Sequence, residues 1–352
     1  MRNLPEDKPV AIGLLQRHAT DWLLDHGIQP FTRAARTGKR VAVAGGGPAG
    51  LACAHRLATL GHDVTVFEAR SKLGGLNEYG IAAYKVTHDF AQREVAFILS
   101  IGGIEPRTGV MLGRDVTLGG LRHDFDAVFL GIGLAGVNAL QTEGEGFEGV
   151  IDAVAYIAEL RQAKDKSRLA VGRRVVVVGG GNTAIDIAVQ TKRLGAEDVT
   201  IVYRRGPEHM GATRHEQEFA QVNGVKIKHW ARPARVIGAS GHVSAAEFEC
   251  TALDTGGRLV GTKSSFTLPA DQLFKAIGQT FIADPAVADA AEPLEIRNGR
   301  ILVDERRATS LSGVYAGGDC VAGVDLTVTA VEDGKIAAHS IDRYLRGLQA
   351  AA

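Results

Sequence analysis

Residues 41–70, VAVAGGGPAGLACAHRLATLGHDVTVFEAR, decide the fold. An apolar run, VAVA, passes into Gly45-x-Gly47-x-x-Gly50, then a helical stretch, a short loop and a second apolar run ending at Glu68. That order predicts strand, tight turn, helix and parallel strand, a βαβ unit whose helix N-terminus can hold a pyrophosphate with its free amides and dipole. Glycines are required there because a Cβ would obstruct either the phosphate or the helix packing. An acid at the end of the second strand is placed to accept hydrogen bonds from a ribose, the role expected of Glu68.

The pattern returns at residues 172–205, GRRVVVVGGGNTAIDIAVQTKRLGAEDVTIVYRR, as Gly179-x-Gly181-x-x-Ala184. Two such units predict an α/β protein with two Rossmann-like dinucleotide-binding domains. Leu73-Gly74-Gly75-Leu76 follows Glu68 closely, as expected where backbone passes along the ribityl chain of FAD. Gly317-Gly318-Asp319 ends a later apolar run and offers Asp319 to the same cofactor. The expected organisation is therefore an N-terminal helical segment (1–36), an FAD-binding domain built from 37–145 and 281–352, and an inserted NAD(P)H-binding domain at 146–280. Residues 9–26 carry Leu14, Leu15, Trp22 and Leu23 near helical spacing, with Gly27 beyond them. They predict a helix packed on the main body.

In the second unit Tyr203 stands where the ribose acid would be, and Arg204 and Arg205 follow. Guanidinium groups there suit a 2′-phosphate and hence NADPH. His209 and His215 lie in a polar loop and read as solvated side chains. Hydride transfer between a nicotinamide and a flavin calls for no protein base, so no catalytic side chain is assigned.

Forty Lys and Arg balance forty Asp and Glu, which provides no general field toward nucleic acid or an anionic membrane. No apolar run reaches the roughly 20 residues of a membrane span, so a cytoplasmic location is expected by default. Cys53, Cys250 and Cys320 form no Cys-x-x-Cys pair and no metal-ligand run. A dithiol relay and a resident metal are thereby unexpected, and the thiols read as small core residues.

From about residue 9 to 347 the chain resembles the flavin and nicotinamide part of the glutamate synthase small-subunit and dihydropyrimidine dehydrogenase family. The shared marks are GGGPAGL, Leu73-Gly74-Gly75-Leu76-x-x-Tyr79-Gly80-Ile81, VVGGGNTAIDIA, VYRR, KAIGQT and YAGGDC followed by GVDLTVTAVEDGKIAA. LGIGLAGVNAL (130–140) and EHMGATRHEQEFAQVNGVKIKHWA (208–231) are most similar to the electron-input subunits of bacterial NAD-dependent dihydropyrimidine dehydrogenases. Glutamate synthase small subunits come next.

The resemblance implies that electrons pass from NADH or NADPH to FAD, then to an iron–sulfur and FMN-containing catalytic subunit that reduces uracil or thymine. A glutamate synthase-like electron donor and a non-enzymatic flavin-bound scaffold are the alternatives. Carried over, the FAD contacts are Gly45, Gly47, Pro48, Ala49, Gly50, Glu68, Arg70, Gly75, Leu76, Gly318, Asp319, Thr327, Val328, Thr329 and Ala330. The nicotinamide contacts are Gly179, Gly181, Asn182, Thr183, Ala184, Arg204, Arg205, Ala276, Ile277 and Gly278. NADH-using members also carry the arginine pair, so both donors stay open. Family members bear a cysteine-rich N-terminal segment that ligates clusters, and this sequence has no counterpart to it. Either that segment is missing here, or electrons leave for clusters on another polypeptide or a free acceptor.

Overall fold

The computed structural model describes residues 10–283 and 293–347. Strands β1 (Arg40–Ala44), β2 (Asp63–Glu68), β3 (Ile104–Thr108) and β4 (Ala127–Leu130) form a parallel sheet. Strands β5 (Gly136–Val137) and β6 (Val150–Asp152) lead out of it. The second sheet combines β6 with β7 (Arg174–Val178), β8 (Asp198–Val202), β9 (Lys226–Lys228) and β13 (Gln272–Lys275) in the order β6-β13-β7-β8-β9, also parallel. Between β9 and β13 runs an antiparallel meander, β10 (Ala231–Ala239), β11 (His242–Leu253) and β12 (Leu259–Pro269). β14 (Gln279–Thr280) pairs back with β5, and β15 (Ile296–Arg297) pairs with β16 (Arg300–Ile301). β17 (Val314–Ala316) then joins β4, completing the first sheet in the order β17-β4-β1-β2-β3.

Both glycine-turn strands share a burial pattern. β1 and β7 each begin with an exposed arginine and continue as four buried apolar residues, as parallel strands covered on both faces must. The helices are α1 (Ile12–Asp25), α2 (Pro48–Thr59), α3 (Leu76–Tyr79), α4 (Phe90–Leu99), α5 (Leu118–Asp124), α6 (Ala153–Gln162), α7 (Asn182–Arg193), α8 (Arg214–Val222) and α9 (Thr327–Leu345). None is long and apolar enough among the described residues to cross a membrane.

The last helix settles how the first sheet closes. α9 crosses α2 where Gly334 faces Ala49 and Cys53, and a Cβ on Gly334 would lie 2.2 Å from the Ala49 carbonyl oxygen. Only glycine permits that approach. Ala337, Ala338 and Ile341 of α9 continue the contact as fully buried members of the core beneath α2.

The N-terminal helix departs from expectation. α1 forms where predicted and Gly27 follows it with φ +62, yet none of its residues is buried. Leu14, Leu15 and Trp22 are all more than half exposed. Its attachments are polar: Arg17 lies over the Phe90 ring at 3.5 Å and Asp25 pairs with Arg93. The apolar spacing was genuine, but Leu14, Leu15 and Trp22 of the face it defines are turned to solvent and Leu23 is only half-buried.

A polar seam joins the segment 77–86 to α6, α7 and α8. Arg161 donates from three guanidinium nitrogens to the carbonyls of Glu78 (2.7 Å), Val86 (3.0 Å) and Asn77 (3.2 Å). Asp186 accepts from the Ala82 amide and the Tyr84 hydroxyl, and meets Lys85 Nζ at 2.6 Å. Lys85 also reaches Glu216 at 2.9 Å. Burial pushes the Asp186 carboxyl above its ordinary pKa, with Lys85 acting against it. Hydrogen bonds to charged partners in a shielded seam are individually strong and hold the segment to those helices.

Replacing Gly334 with Ala should lower the unfolding free energy by about 1–3 kcal/mol, the usual penalty for overpacking a close helix crossing. Denaturant titration checks this, and an unchanged midpoint would show that the crossing has slack.

Candidate dinucleotide sites

The two glycine turns are built alike. Gly45 has φ +103, and a Cβ on it would lie 2.3 Å from the carbonyl oxygen of Gly131, just past β4. Gly179 meets the carbonyl of Ala276, just past β13, in the same way at 2.2 Å. The stretches Phe129–Gly133 and Phe274–Gly278 therefore do equivalent work, pressing a strand exit against a glycine turn. Gly50 packs its backbone on the Gly45 carbonyl, where a Cβ would fall at 1.9 Å, while its counterpart Ala184 is fully buried.

The middle glycines differ from these. A Cβ on Gly47 would meet only the Gly75 Cα, at 3.7 Å, and one on Gly181 would meet nothing within 4 Å. Space is thus kept open over the N-termini of α2 and α7. No side chain caps α2, α7 or α9. Side chains do not cap α1, α3, α4 or α6 either, whereas Thr117 and Thr213 cap α5 and α8. The leading amides of three long helices are left as donors, the arrangement that suits phosphate.

Around the first turn, Glu68 is buried at the end of β2. Its Oε2 accepts the Gly46 amide at 2.8 Å and its Oε1 the Arg70 amide at 2.8 Å. A carboxylate offers about four acceptor positions, so two remain for hydroxyls of a ribose. Gly74 donates to the Gly46 carbonyl at 2.8 Å, and the Gly75 backbone abuts that of Gly47. Leu76 stands more than a third exposed beside them, and Arg70 packs over the Tyr79 ring at 4.4 Å. Pro48 and Ala49 begin α2. From the far end of the chain, Gly318 comes in at φ +76 against Ala49. Its amide donates to Asp333 at 2.9 Å.

The Asp319 carboxylate makes no hydrogen bond or ion pair among the described residues, and burial, followed by the charge of Asp325, raises its pKa. A half-buried acid without a partner suits a polyol. Thr327, Val328, Thr329 and Ala330 form the first turn of α9, and Thr327 donates to the Asn77 side chain at 3.3 Å. These residues fit FAD: a glycine cradle, free helix amides, a carboxylate with capacity to spare and an unpartnered acid, drawn from both ends of the chain.

Around the second turn, Asn182 and Thr183 open α7. Tyr203 packs its ring on Gly180, where a Cβ would lie 2.4 Å from the ring. Arg204 is exposed and Arg205 half-buried, and neither forms an ion pair among the described residues. Arg205 Nε and His229 Nε2 are buried without hydrogen-bond partners among those residues. Such orphans are costly unless something else satisfies them. Ile277 and Gly278 are tied to Asn138, whose Nδ2 donates to the Ile277 carbonyl at 3.1 Å and whose amide donates to the Gly278 carbonyl at 3.2 Å. The cradle, the free amides and the unsatisfied guanidinium nitrogen of Arg205 fit a nicotinamide dinucleotide.

Sequence reading missed the seam residues Tyr84, Lys85, Arg161, Asp186 and Glu216, and also Asp333. Their polar side chains were camouflaged by long helical or loop segments. An acid inside the apolar stretch AIDIAV was the one available signal for Asp186. All three cysteines are free. Cys53 and Cys320 are buried, which raises both thiols, Cys320 to about 11.

Residues 35–334 match the family model described as pyridine nucleotide-disulphide oxidoreductase. The chain is 35% identical to the NADP(+)-dependent formate dehydrogenase subunit beta of Moorella thermoacetica, over 97% of this chain and 52% of that one. It is also 35% identical to the glutamate synthase [NADPH] small chain of Escherichia coli (strain K12), over 96% of this chain and 75% of that one. It thus spans about half of the first relative and three quarters of the second. FprA from Mycobacterium tuberculosis shares the fold, with a TM-score of 0.74 at 20% identity over 89% of this chain and 87% of that one. The chain therefore belongs to the pyridine nucleotide-disulphide oxidoreductase family, as an NAD(P)H-dependent, FAD-binding electron-transfer module of the glutamate synthase small-subunit type.

Proposed function

We propose that this chain is the electron-input subunit of a larger reductase, with FAD held at the first glycine turn and NADPH as the preferred donor at the second. The observation that carries this reading is the contrast between two otherwise matched turns. One has a buried carboxylate at its lip, Glu68, and the other a tyrosine followed by two arginines that form no ion pair among the described residues. A carboxylate accepts ribose hydroxyls but repels a 2′-phosphate, and guanidinium groups do the reverse. The nicotinamide and the flavin supply the hydride chemistry when bound, and the chain binds and orients them.

On this reading Glu68, Gly318 and Asp319 hold the FAD ribose, pyrophosphate and ribityl regions, with the amides of α2 and α9. Asn182, Thr183, Arg204 and Arg205 hold the nicotinamide nucleotide beside the Ala276–Gly278 loop. The FAD unit comprises 37–145 and 281–352 and the nicotinamide unit 146–280, with 1–36 as a helical preface. Residues 1–9 of the helical preface and 284–292 and 348–352 of the second FAD segment lie outside the described residues.

The partner we propose carries iron–sulfur clusters and FMN and reduces uracil or thymine. Residues 130–140 and 208–231 support it through their resemblance to dihydropyrimidine dehydrogenase electron-input subunits. A glutamate synthase-type acceptor is the second reading, favoured by the 35% identity to a glutamate synthase small chain. Mixing the NADPH-reduced chain with each kind of catalytic subunit under anaerobic conditions separates them. Dihydrouracil formation supports the first and glutamate formation the second.

Glu68→Ala should weaken FAD retention by roughly tenfold or more, since hydrogen bonds to a charged acceptor are lost. The flavin-to-protein absorbance ratio after purification reports it, and an unaltered ratio would remove Glu68 from the ribose. Arg204→Ala with Arg205→Ala should raise the KM for NADPH by roughly 10–100-fold and leave that for NADH nearly unchanged. Equal effects on both nucleotides would contradict the 2′-phosphate assignment.

A further inference from the structure

Tyr203 occupies the position of Glu68 but makes different bonds. In the first unit the side chain at the end of β2 accepts the amide of Gly46, the counterpart of Gly180. In the second, the Tyr203 ring lies against Gly180 so closely that a Cβ there would come within 2.4 Å of Cδ2. Its hydroxyl points onward and donates to the carbonyl of His209 at 2.7 Å. His209 belongs to a short strap, Pro207–Ala212, that returns across the glycine turn. The Ala212 amide donates to the Gly180 carbonyl at 3.0 Å, and a Cβ on Gly211 would stand 3.8 Å from the Gly181 Cα. From the other side, Gln217 Nε2 donates to the carbonyls of Ala212 (3.0 Å) and Pro207 (3.3 Å). Met210 is buried beneath the strap.

We propose that Tyr203 is a positioning residue for the nicotinamide dinucleotide: it latches the Pro207–Ala212 strap over the Gly179–Gly181 turn, so that the cleft at the N-terminus of α7 is preset before the ligand enters. The proposal rests on the reading that this turn receives NAD(P)H. It explains why a phenol stands where a ribose-binding acid is expected. The ring needs a flat glycine to lie on, and the hydroxyl needs a carbonyl one side-chain length beyond the strand. Neither requirement concerns the ribose or a 2′-phosphate, so the latch serves NADH and NADPH alike. Presetting a cleft removes an ordering cost from binding and leaves the chemical step alone.

Tyr203→Phe keeps the ring and deletes the latch. In the full, FAD-loaded chain with ferricyanide as artificial acceptor, the KM for NADPH and the KM for NADH should rise by the same factor. That factor is roughly five- to tenfold, the equilibrium worth of one hydrogen bond. Flavin content and kcat at saturation should be unchanged. Without nucleotide, the Ala212 amide should exchange its hydrogen faster in the variant by a similar factor. Gln217→Leu, which cuts the strap's other tie, should reproduce the common rise in KM. Unmoved KM values with unmoved Ala212 exchange would overturn the latch, as would a rise confined to one nucleotide, which would place the phenol on the ribose or its phosphate. Failure of either nucleotide to reduce the flavin of the unsubstituted chain would sink the nicotinamide reading itself, and the latch with it.

Discussion

The approach of α9 to α2 at Gly334 is the contact on which the first site depends. With no side chain at that position, the last helix lies against the backbone of Ala49 and Cys53, closer than any other residue would allow. Three consequences follow. β17 is delivered to the edge of β4, the Gly317-Gly318-Asp319 turn arrives beside the N-terminus of α2, and the uncapped N-terminus of α9 faces the same region. Asp333, one residue before the crossing glycine, reinforces the arrangement. It accepts the Gly318 amide and meets Arg307 at 2.6 Å, so a buried charge is both paired and put to use. A site assembled from residues more than 250 positions apart thus rests on one close helix contact.

The second site shows how the same backbone device is turned to a different ligand. Both first glycines sit under a carbonyl at a strand exit, and both middle glycines leave open space over a helix N-terminus. What changes is the end of the following strand, where a carboxylate with spare acceptors gives way to a ring, a strap and two arginines. On the proposed reading the turn receives a pyrophosphate in either case, and discrimination is left to side chains at the lip. The seam formed by Arg161, Lys85 and Asp186 links these two regions mechanically, since segment 77–86 follows directly from the Gly75 backbone that abuts Gly47.

Much of this was legible in the sequence because glycine positions and apolar runs report local geometry directly. The strand–glycine turn–helix–strand units at 41–70 and 172–205, and the apolar run that ends at Gly317, lie where the pattern put them. The β10–β12 meander was not anticipated. β11 buries Val243, Ala246, Phe248 and Thr251 at spacings of three, two and three, so the two-residue period of a strand is broken. The surroundings of α1 were misjudged for a related reason, since spacing defines an apolar face but not what covers it. Asp186 was marked only by its place in the apolar stretch AIDIAV, and the partners of Asp186 and Asp333, Lys85 and Arg307, are distant in sequence.

The central claim is that electrons enter at the arginine-lined turn and reach a flavin held by the first. The most direct test follows the flavin absorbance of the purified chain near 450 nm (roughly, as for protein-bound flavins generally) while NADPH and NADH are added separately without oxygen. The account predicts bound FAD that bleaches with about one equivalent of NADPH, at lower concentrations than with NADH. Bound FAD that neither nucleotide bleaches would contradict it and leave the second glycine turn without its assigned role.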